Sequence, residues 1–270
     1  MSSEIIHENT LYAEPIAQVG NFPITNAMLN SWLVLVIVII LAIVLRRSLK
    51  KVPRGLQNGL EMVVEMFLDL FDSVTGSRKR SLVFAPLVLA FFFFILLNNW
   101  SGILPGVGSI GQVVQHGGER FFIPYFRGGT ADLNTTLALA TIGVVVSHIV
   151  GVIAVGWWHY LNKFINIKAL IDIPKKVFKD PTILIVNPIK IFVGFIEIIS
   201  ELAKVASLSF RLFGNVFAGE VLLASMSAIL AFGLPLPFLF LEILVGLIQA
   251  LIFAMLILTY LTINTTKEEH

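Results

Sequence analysis

The chain has 270 residues, 57% of them hydrophobic and 13% charged, with a formal net charge of +2. Soluble domains carry roughly 25% charged residues, so this composition points to one helical bundle in lipid and against separate soluble domains. The near-neutral balance offers no global field for nucleic acid, and the lack of cysteine removes disulfides, thiolate catalysis and iron–sulfur ligation.

Residues 1–26 are polar, carry Glu4, Glu8 and Glu14, and place no Lys or Arg ahead of the first apolar run. A secretory signal needs such a charge, so no cleaved leader is expected. The first run, Ala27–Leu45, is long enough to span and ends in Arg46 and Arg47. Next, Leu56, Leu60, Val63, Val64, Phe67, Leu68 and Phe71 follow helical spacing while Gln57, Glu61, Glu65, Asp69 and Asp72 share the other face. The pattern predicts an amphipathic helix over 56–72, lying at the membrane interface or packed on another protein.

Four more apolar runs follow, Ser81–Leu97, Leu133–Trp157, Ile189–Phe232 and Phe238–Ile263. The run at 189–232 would make ~66 Å of helix against a ~30 Å hydrocarbon core, so it must tilt strongly, break, or lie partly outside the bilayer. Gly233-Leu234-Pro235-Leu236-Pro237 then turns the chain back, which predicts a long tilted helical hairpin. The expected fold class is therefore all-α, a polytopic membrane protein with that hairpin and one interfacial helix.

Basic residues cluster between the spans. Arg46, Arg47, Lys50, Lys51, Arg54, Arg78, Lys79 and Arg80 lie in the first loop, and Lys163, Lys168, Lys175, Lys176 and Lys179 in the loop after the third span. The loop at 98–130 holds only Arg120 and Arg127. By the positive-inside rule the two basic loops and the C-terminus are cytoplasmic and the N-terminus is outside. The expected organisation is an outer segment at 1–26, membrane helices over 27–158, a cytoplasmic basic loop at 159–188 and the hairpin at 189–264.

From 206 to 266 the charged residues are Arg211, Glu220 and Glu242. Each costs about 2.5–3.5 kcal/mol at a helix centre by insertion scales, so each should face a partner or a water-filled cavity. Arg211 and Glu220, nine positions apart, lie on opposite helix faces and ~13 Å apart along the axis. Arg211 is either a gate or a structural partner of Glu242 on the next helix. An arginine cannot pass a proton, but it favours the ionised form of a nearby carboxylate.

Ser207 and Asn215 share the Arg211 face, and Ala203, Ala206, Gly214, Ala218 and Gly219 would let another helix approach closely. Glu197, Glu201 and Lys204 precede Arg211 and form either a cytoplasmic acidic path or an interfacial salt-bridge face. Glu220 and Glu242 lie beyond it, with Gln249 one heptad after Glu242. The pattern reads as two half-paths and a barrier. His148, inside the third run, is a relay or a hydrogen-bonding partner of a neighbouring helix.

Arg211-Leu212-Phe213-Gly214-Asn215 followed by Ala218-Gly219-Glu220 resembles the signature of subunit a of the Fo sector of F-type ATP synthase, bacterial type. The resemblance extends to Asn98-Asn99, Gly102-Ile103-Leu104-Pro105-Gly106, Ala131-Asp132-Leu133-Asn134-Thr135-Thr136, Asn187-Pro188 and the region from Gln249 to Tyr260. It implies that the arginine faces a ring of c subunits. It also implies that Glu220, Glu242, Asn215 and Gln249 line the outer half-channel with Asp132 and Asn134 at its mouth, and that Glu197 lies on the cytoplasmic one. Two departures stand out: Glu242 occupies a position where many relatives carry His, and Val205 follows the lysine where a Pro is frequent.

The implied activity is coupling of proton or sodium translocation to ring rotation in the bacterial plasma membrane. Implied partners are the c ring, peripheral-stalk b subunits, the F1 sector indirectly and the lipid bilayer. No cofactor, metal or nucleic acid is expected, and no phosphate-cradling loop or nucleophile elbow places ATP chemistry in this chain. Two other classes compete: a structural or assembly membrane protein, and a secondary transporter, which should show repeats in both halves.

Overall fold

The computed structural model describes residues 5–6, 10, 12–48, 55–104, 106–116, 119–165, 183–230 and 233–266. Lys50, Lys51 and Arg54, the loop lysines Lys168, Lys175, Lys176 and Lys179, and the end from Lys267 to His270 lie outside these residues. The described helices are α1 (Asn26–Ser48), α2 (Leu56–Thr75), α3 (Arg78–Ile103), α4 (Leu133–Val155), α5 (Trp157–Ile165), α6 (Ile183–Ile229) and α7 (Pro235–Thr265). Five stretches are long and apolar enough to cross a bilayer: Asn26–Arg47, Arg78–Ile103, Leu133–Val155, Phe192–Ile229 and Pro235–Thr265. The protein is a polytopic, all-α integral membrane protein, with each spanning stretch on one of the apolar runs.

Of the three expected forms, a break is not the one α6 takes: it is a single unbroken helix. It runs for 47 residues with Pro188 inside its first turns, about 70 Å of helix, so it cannot stand upright in a bilayer. Pro188, the sixth residue of α6, cannot donate to the carbonyl four residues before it, so the helix continues with one backbone hydrogen bond missing near its start. The chain reverses at Gly233, whose φ of +94° suits glycine, and α7 opens with Pro235 at its first position.

Two departures concern the ends of the bundle. The third apolar run stops early, at Gly156 (φ +94°), and residues 157–165 form the separate helix α5 where loop was expected from 159. Short strands also occur. Pro15–Val19 and Phe22–Thr25 make an antiparallel hairpin before α1, and Gly111–His116 pairs with Glu119–Pro124 between α3 and α4, with Ile5–Ile6 alongside. The loop from α3 to α4 thus caps one end of the bundle, the hairpin end, and α5 marks the opposite end.

α3 and α7 form the centre, with Val88, Phe91 and Ile95 packed among Phe253, Ile257, Leu258 and Leu261. α2 is amphipathic and is not among the spanning helices. It buries Phe67, Leu68 and Phe71 against this centre, while Glu65, Asp69 and Asp72 on its polar side all bond Arg78 at the start of α3. Those exposed ion pairs orient the helix more than they stabilise it. Most of α1 beyond Val34 is exposed apolar surface, as a helix bathed in lipid tails should be.

The hairpin end is tied by buried polar side chains that satisfy one another. Asn30 donates to Ser101 (2.7 Å), Ser31 to Asn98 (3.1 Å), Thr130 to Asn99 (2.6 Å), and Asn99 to the Gly246 carbonyl (3.0 Å). In an apolar medium each of these groups would be costly alone, so the set fixes α1, α3, the 129–131 turn and α7 in one register. At the opposite end α4 and α7 cross closely at Gly151, where an added Cβ would lie 2.8 Å from the Asn264 carbonyl and 2.8 Å from the Tyr160 ring. Gly151→Ala should therefore overpack this crossing and lower stability by about 1–3 kcal/mol, seen as a reduced unfolding temperature in detergent.

Candidate functional site: the charged face and flanks of the long helix

The rotation of α6 about its axis is fixed by two contacts with α7. Gln249 donates to the Arg211 backbone carbonyl at 2.8 Å. The Glu242 carboxyl sits directly on Gly219, in space that any side chain at 219 would fill. Gly219 is therefore buried against α7 and does not belong to the open small-residue surface that its spacing suggested. Glu242 and Gln249, 7% and 4% exposed, are buried on the inner side of the hairpin.

This rotation turns Arg211 outward. Its side chain is exposed, together with Ala203, Ser207, Gly214, Asn215 and Ala218 on the same stripe. Its side-chain bond is to Ser207 (Nη2 to Oγ, 3.3 Å), and among the described residues no carboxylate lies within ion-pair distance. The alternative of a structural Arg211–Glu242 bridge is not what the helices adopt. A charge on an apolar membrane helix is costly unless something polar covers it, and among the described residues this stripe is open.

Toward the hairpin end, ~13 Å along α6 from Arg211, Glu220 is met by Arg127. The Arg127 Nε and Nη2 atoms each lie 3.0 Å from Glu220 Oε2, and the guanidinium also reaches Thr10 Oγ1 (3.4 Å) and the Tyr12 carbonyl (3.3 Å). The other Glu220 oxygen rests against Gly128 and Gly102, which leave room for it. A cavity of about 270 Å³ opens here, lined among others by Glu14, Asn26, Arg127 and Glu220. The Glu242 carboxyl lies on the far side of the α6 backbone turn at Gly219.

Asp132 and Asn134 lie beside this region in different states. Asp132 is 3% exposed and caps α4, accepting from the Asn134 backbone N–H (3.3 Å) and from Thr135 Oγ1 (3.2 Å). Asn134 is exposed and donates to the same carboxylate at 3.4 Å. Toward the α5 end, Glu201 is a hub: Lys204 Nζ lies 2.7 Å from one oxygen and His148 Nε2 3.3 Å from the other. Glu197, partly buried, stands one turn further on.

Two participants escaped sequence reasoning. Arg127 is 93 residues from Glu220 in the chain, and only its being one of two basic residues in the 98–130 loop set it apart. Tyr160 bonds the His148 ring and was read as loop.

The family model for the ATP synthase A chain matches residues 28–262. The chain belongs to that family. It is 37% identical over 189 residues to ATP synthase subunit a of Syntrophobacter fumaroxidans, covering 70% of this chain and 62% of the relative. It is 31% identical over 189 residues to that of Acidothermus cellulolyticus, covering 69% and 56%. With the Moorella thermoacetica subunit a the identity is 30% over 246 residues, covering 91% and 93%. The matched part thus spans less than two thirds of the first two relatives and nearly all of the third.

For this member of the subunit a family the Arg127–Glu220 pair has a measurable weight. Its side chains are 10% and 23% exposed, so removing one partner leaves a largely buried charge. Arg127→Ala should cost about 2 kcal/mol in unfolding measured in detergent, and adding Glu220→Gln should recover part of that loss.

Proposed function

We propose that the chain is the stator ion-channel subunit of a rotary ATP synthase, with the Arg211 stripe facing a ring of c subunits. The observation that carries this reading is an outward, carboxylate-free guanidinium on a stripe of small residues midway along a membrane helix. Such a surface needs a moving partner that brings its own carboxylates and leaves again. A static partner carboxylate would lock the charge in place.

In this mechanism a proton or sodium ion enters at the hairpin end through the cavity beside Arg127 and Glu220, passes Glu242, and neutralises a ring carboxylate. Asn215 and Gln249 stand between that path and Arg211. After nearly a full turn the ion leaves at the α5 end past Glu201, Lys204 and Glu197. Arg211 keeps an arriving ring carboxylate ionised and repels a cation attempting the direct route, so the two paths do not short-circuit. Each charge crossing supplies about 2.3 kcal/mol per 100 mV, which successive crossings convert into torque. Asp132, spent on capping α4, positions the mouth and does not carry the ion.

The loop charges orient the chain in the bacterial plasma membrane with the hairpin end outside and the α5 end in the cytoplasm. The bare apolar length of α1 offers a place for the membrane segments of the b subunits as well as for lipid. ATP chemistry belongs to the F1 sector.

The reading is tested on the whole complex in proteoliposomes. Arg211→Ala should abolish ATP-driven ion pumping and ion-driven ATP synthesis while c and b subunits still co-purify. Retained pumping in this variant would return the chain to the class of assembly proteins, and ion transport by the isolated chain would make it a secondary transporter.

A further inference from the structure

His148 is placed as a carrier of protons and not simply as packing. Its two ring nitrogens face two different partners on two different helices. Nδ1 meets the Tyr160 hydroxyl from α5, and Nε2 lies 3.3 Å from Glu201 Oε2 on α6. Glu201 is held in turn by Lys204 Nζ at 2.7 Å, and that ammonium lies 5.0 Å over the Tyr260 ring of α7. Four helices therefore converge on one connected set of exchangeable groups, ~15 Å along α6 from Arg211 toward the α5 end.

Burial pushes the Tyr160 hydroxyl above its ordinary range, and the negative charges of Glu201 and Glu197 push it further, so at working pH it keeps its hydrogen. In the neutral form of the imidazole the Tyr160 hydroxyl donates to Nδ1. The ring hydrogen then sits on Nε2, pointing at Glu201. The His148 and Glu201 side chains are 24% and 12% exposed, dry enough to hold this order and open enough to exchange.

We propose that His148 is a proton-transferring residue of the α5-end half-channel, passing protons between Glu201 and Tyr160. This rests on the stator reading above and adds to it that the ion leaving at this end is a proton. From this tautomer Tyr160 gives its proton to Nδ1 while Nε2 gives its own to Glu201; the opposite transfer then takes a proton from Glu201 on Nε2 and releases the one on Nδ1 to Tyr160, so each transfer leaves the ring's charge and proton count unchanged. The Tyr160 hydroxyl turns from donor to acceptor to serve the second tautomer and hands its own hydrogen onward. Lys204 stays protonated and steadies the Glu201 carboxylate between transfers. Among the described residues, the titratable and charged groups that face the ring or its two partners are Glu201, Lys204 and Glu197 on α6, Tyr160 on α5 and Tyr260 on α7, and the Phe164 ring covers the imidazole edge-on.

The test uses the whole ATP synthase in proteoliposomes, read by passive proton conduction through Fo after removal of F1 and by ATP-driven acidification before it. His148→Ala should slow conduction about tenfold or more, as loss of a general acid–base group does. Imidazole added to the medium should restore much of the rate, and 4-methylimidazole should restore it with a different pH dependence that follows its own proton affinity. Tyr160→Phe should slow conduction while leaving assembly intact. Wild-type conduction in His148→Ala, or a deficit that no imidazole relieves, overturns the assignment. Conduction of sodium but not protons by the unmodified complex also overturns it and leaves the stator reading standing, whereas unimpaired pumping by Arg211→Ala removes the stator reading itself.

Discussion

The rotation of α6 about its own axis decides the chemistry of this protein. A helix of this length in lipid has no hydrophobic preference for one face over another, because tails and leucines are equally apolar. Besides the burial of Leu208, Leu212 and Val216, polar short-range contacts hold the rotation: Gln249 reaching the Arg211 carbonyl, the Glu242 carboxyl seated on Gly219, and the Thr136 and Ser209 hydroxyls 3.2 Å apart. A carbonyl inside an intact helix has a second lone pair to offer, so Gln249 takes it without breaking the helical ladder. Given those contacts, Arg211 must point away from α7 and Glu220 must point toward the loop that carries Arg127.

Among the described residues, the charges flanking the centre of α6 are treated differently from the one at its centre. Glu220 and Glu201 are matched by cations on this chain, Arg127 and Lys204, at 3.0 and 2.7 Å. Arg211, by contrast, has no carboxylate within ion-pair distance among the described residues. The asymmetry is informative because an unmatched charge is tolerated in lipid only where something else covers it part of the time. A protein built for static packing would have no use for leaving the central charge uncovered while pairing those to either side of it.

Much of this was legible in the sequence, and the remainder was hidden for reasons of topology. The five spans, the amphipathic α2 and the length that forces α6 to tilt follow from apolar run length and helical period, which are local properties. The crowding of Glu197, Glu201, Lys204, Arg211, Glu220 and Glu242 into the last third was likewise visible. Arg127 was not, since its partner is brought to it by a strand pair, Gly111–His116 with Glu119–Pro124, whose glycine-flanked residues carry little alternation. Tyr160 was missed because Gly156, at φ +94°, ends α4 one residue before the two tryptophans that start α5. The capping role of Asp132 was also legible, since an Asp directly before an apolar run reads as a helix cap, and its buried carboxylate fills that role.

The two ends of α6 use different materials for the same task. At the hairpin end the countercharge is a guanidinium on a non-helical loop, anchored to Thr10 and Tyr12 of the N-terminal segment, so the mouth is built from chain that need not satisfy its backbone within lipid. At the α5 end the groups all sit on helices, and the link between them is an imidazole, the one side chain that can accept and give a proton near neutral pH without lasting change of charge. A permanent cation suits a place where a carboxylate must be held still. In the proposed mechanism an imidazole suits the end where a proton moves on, and Arg127 and His148 meet α6 on opposite sides of Arg211.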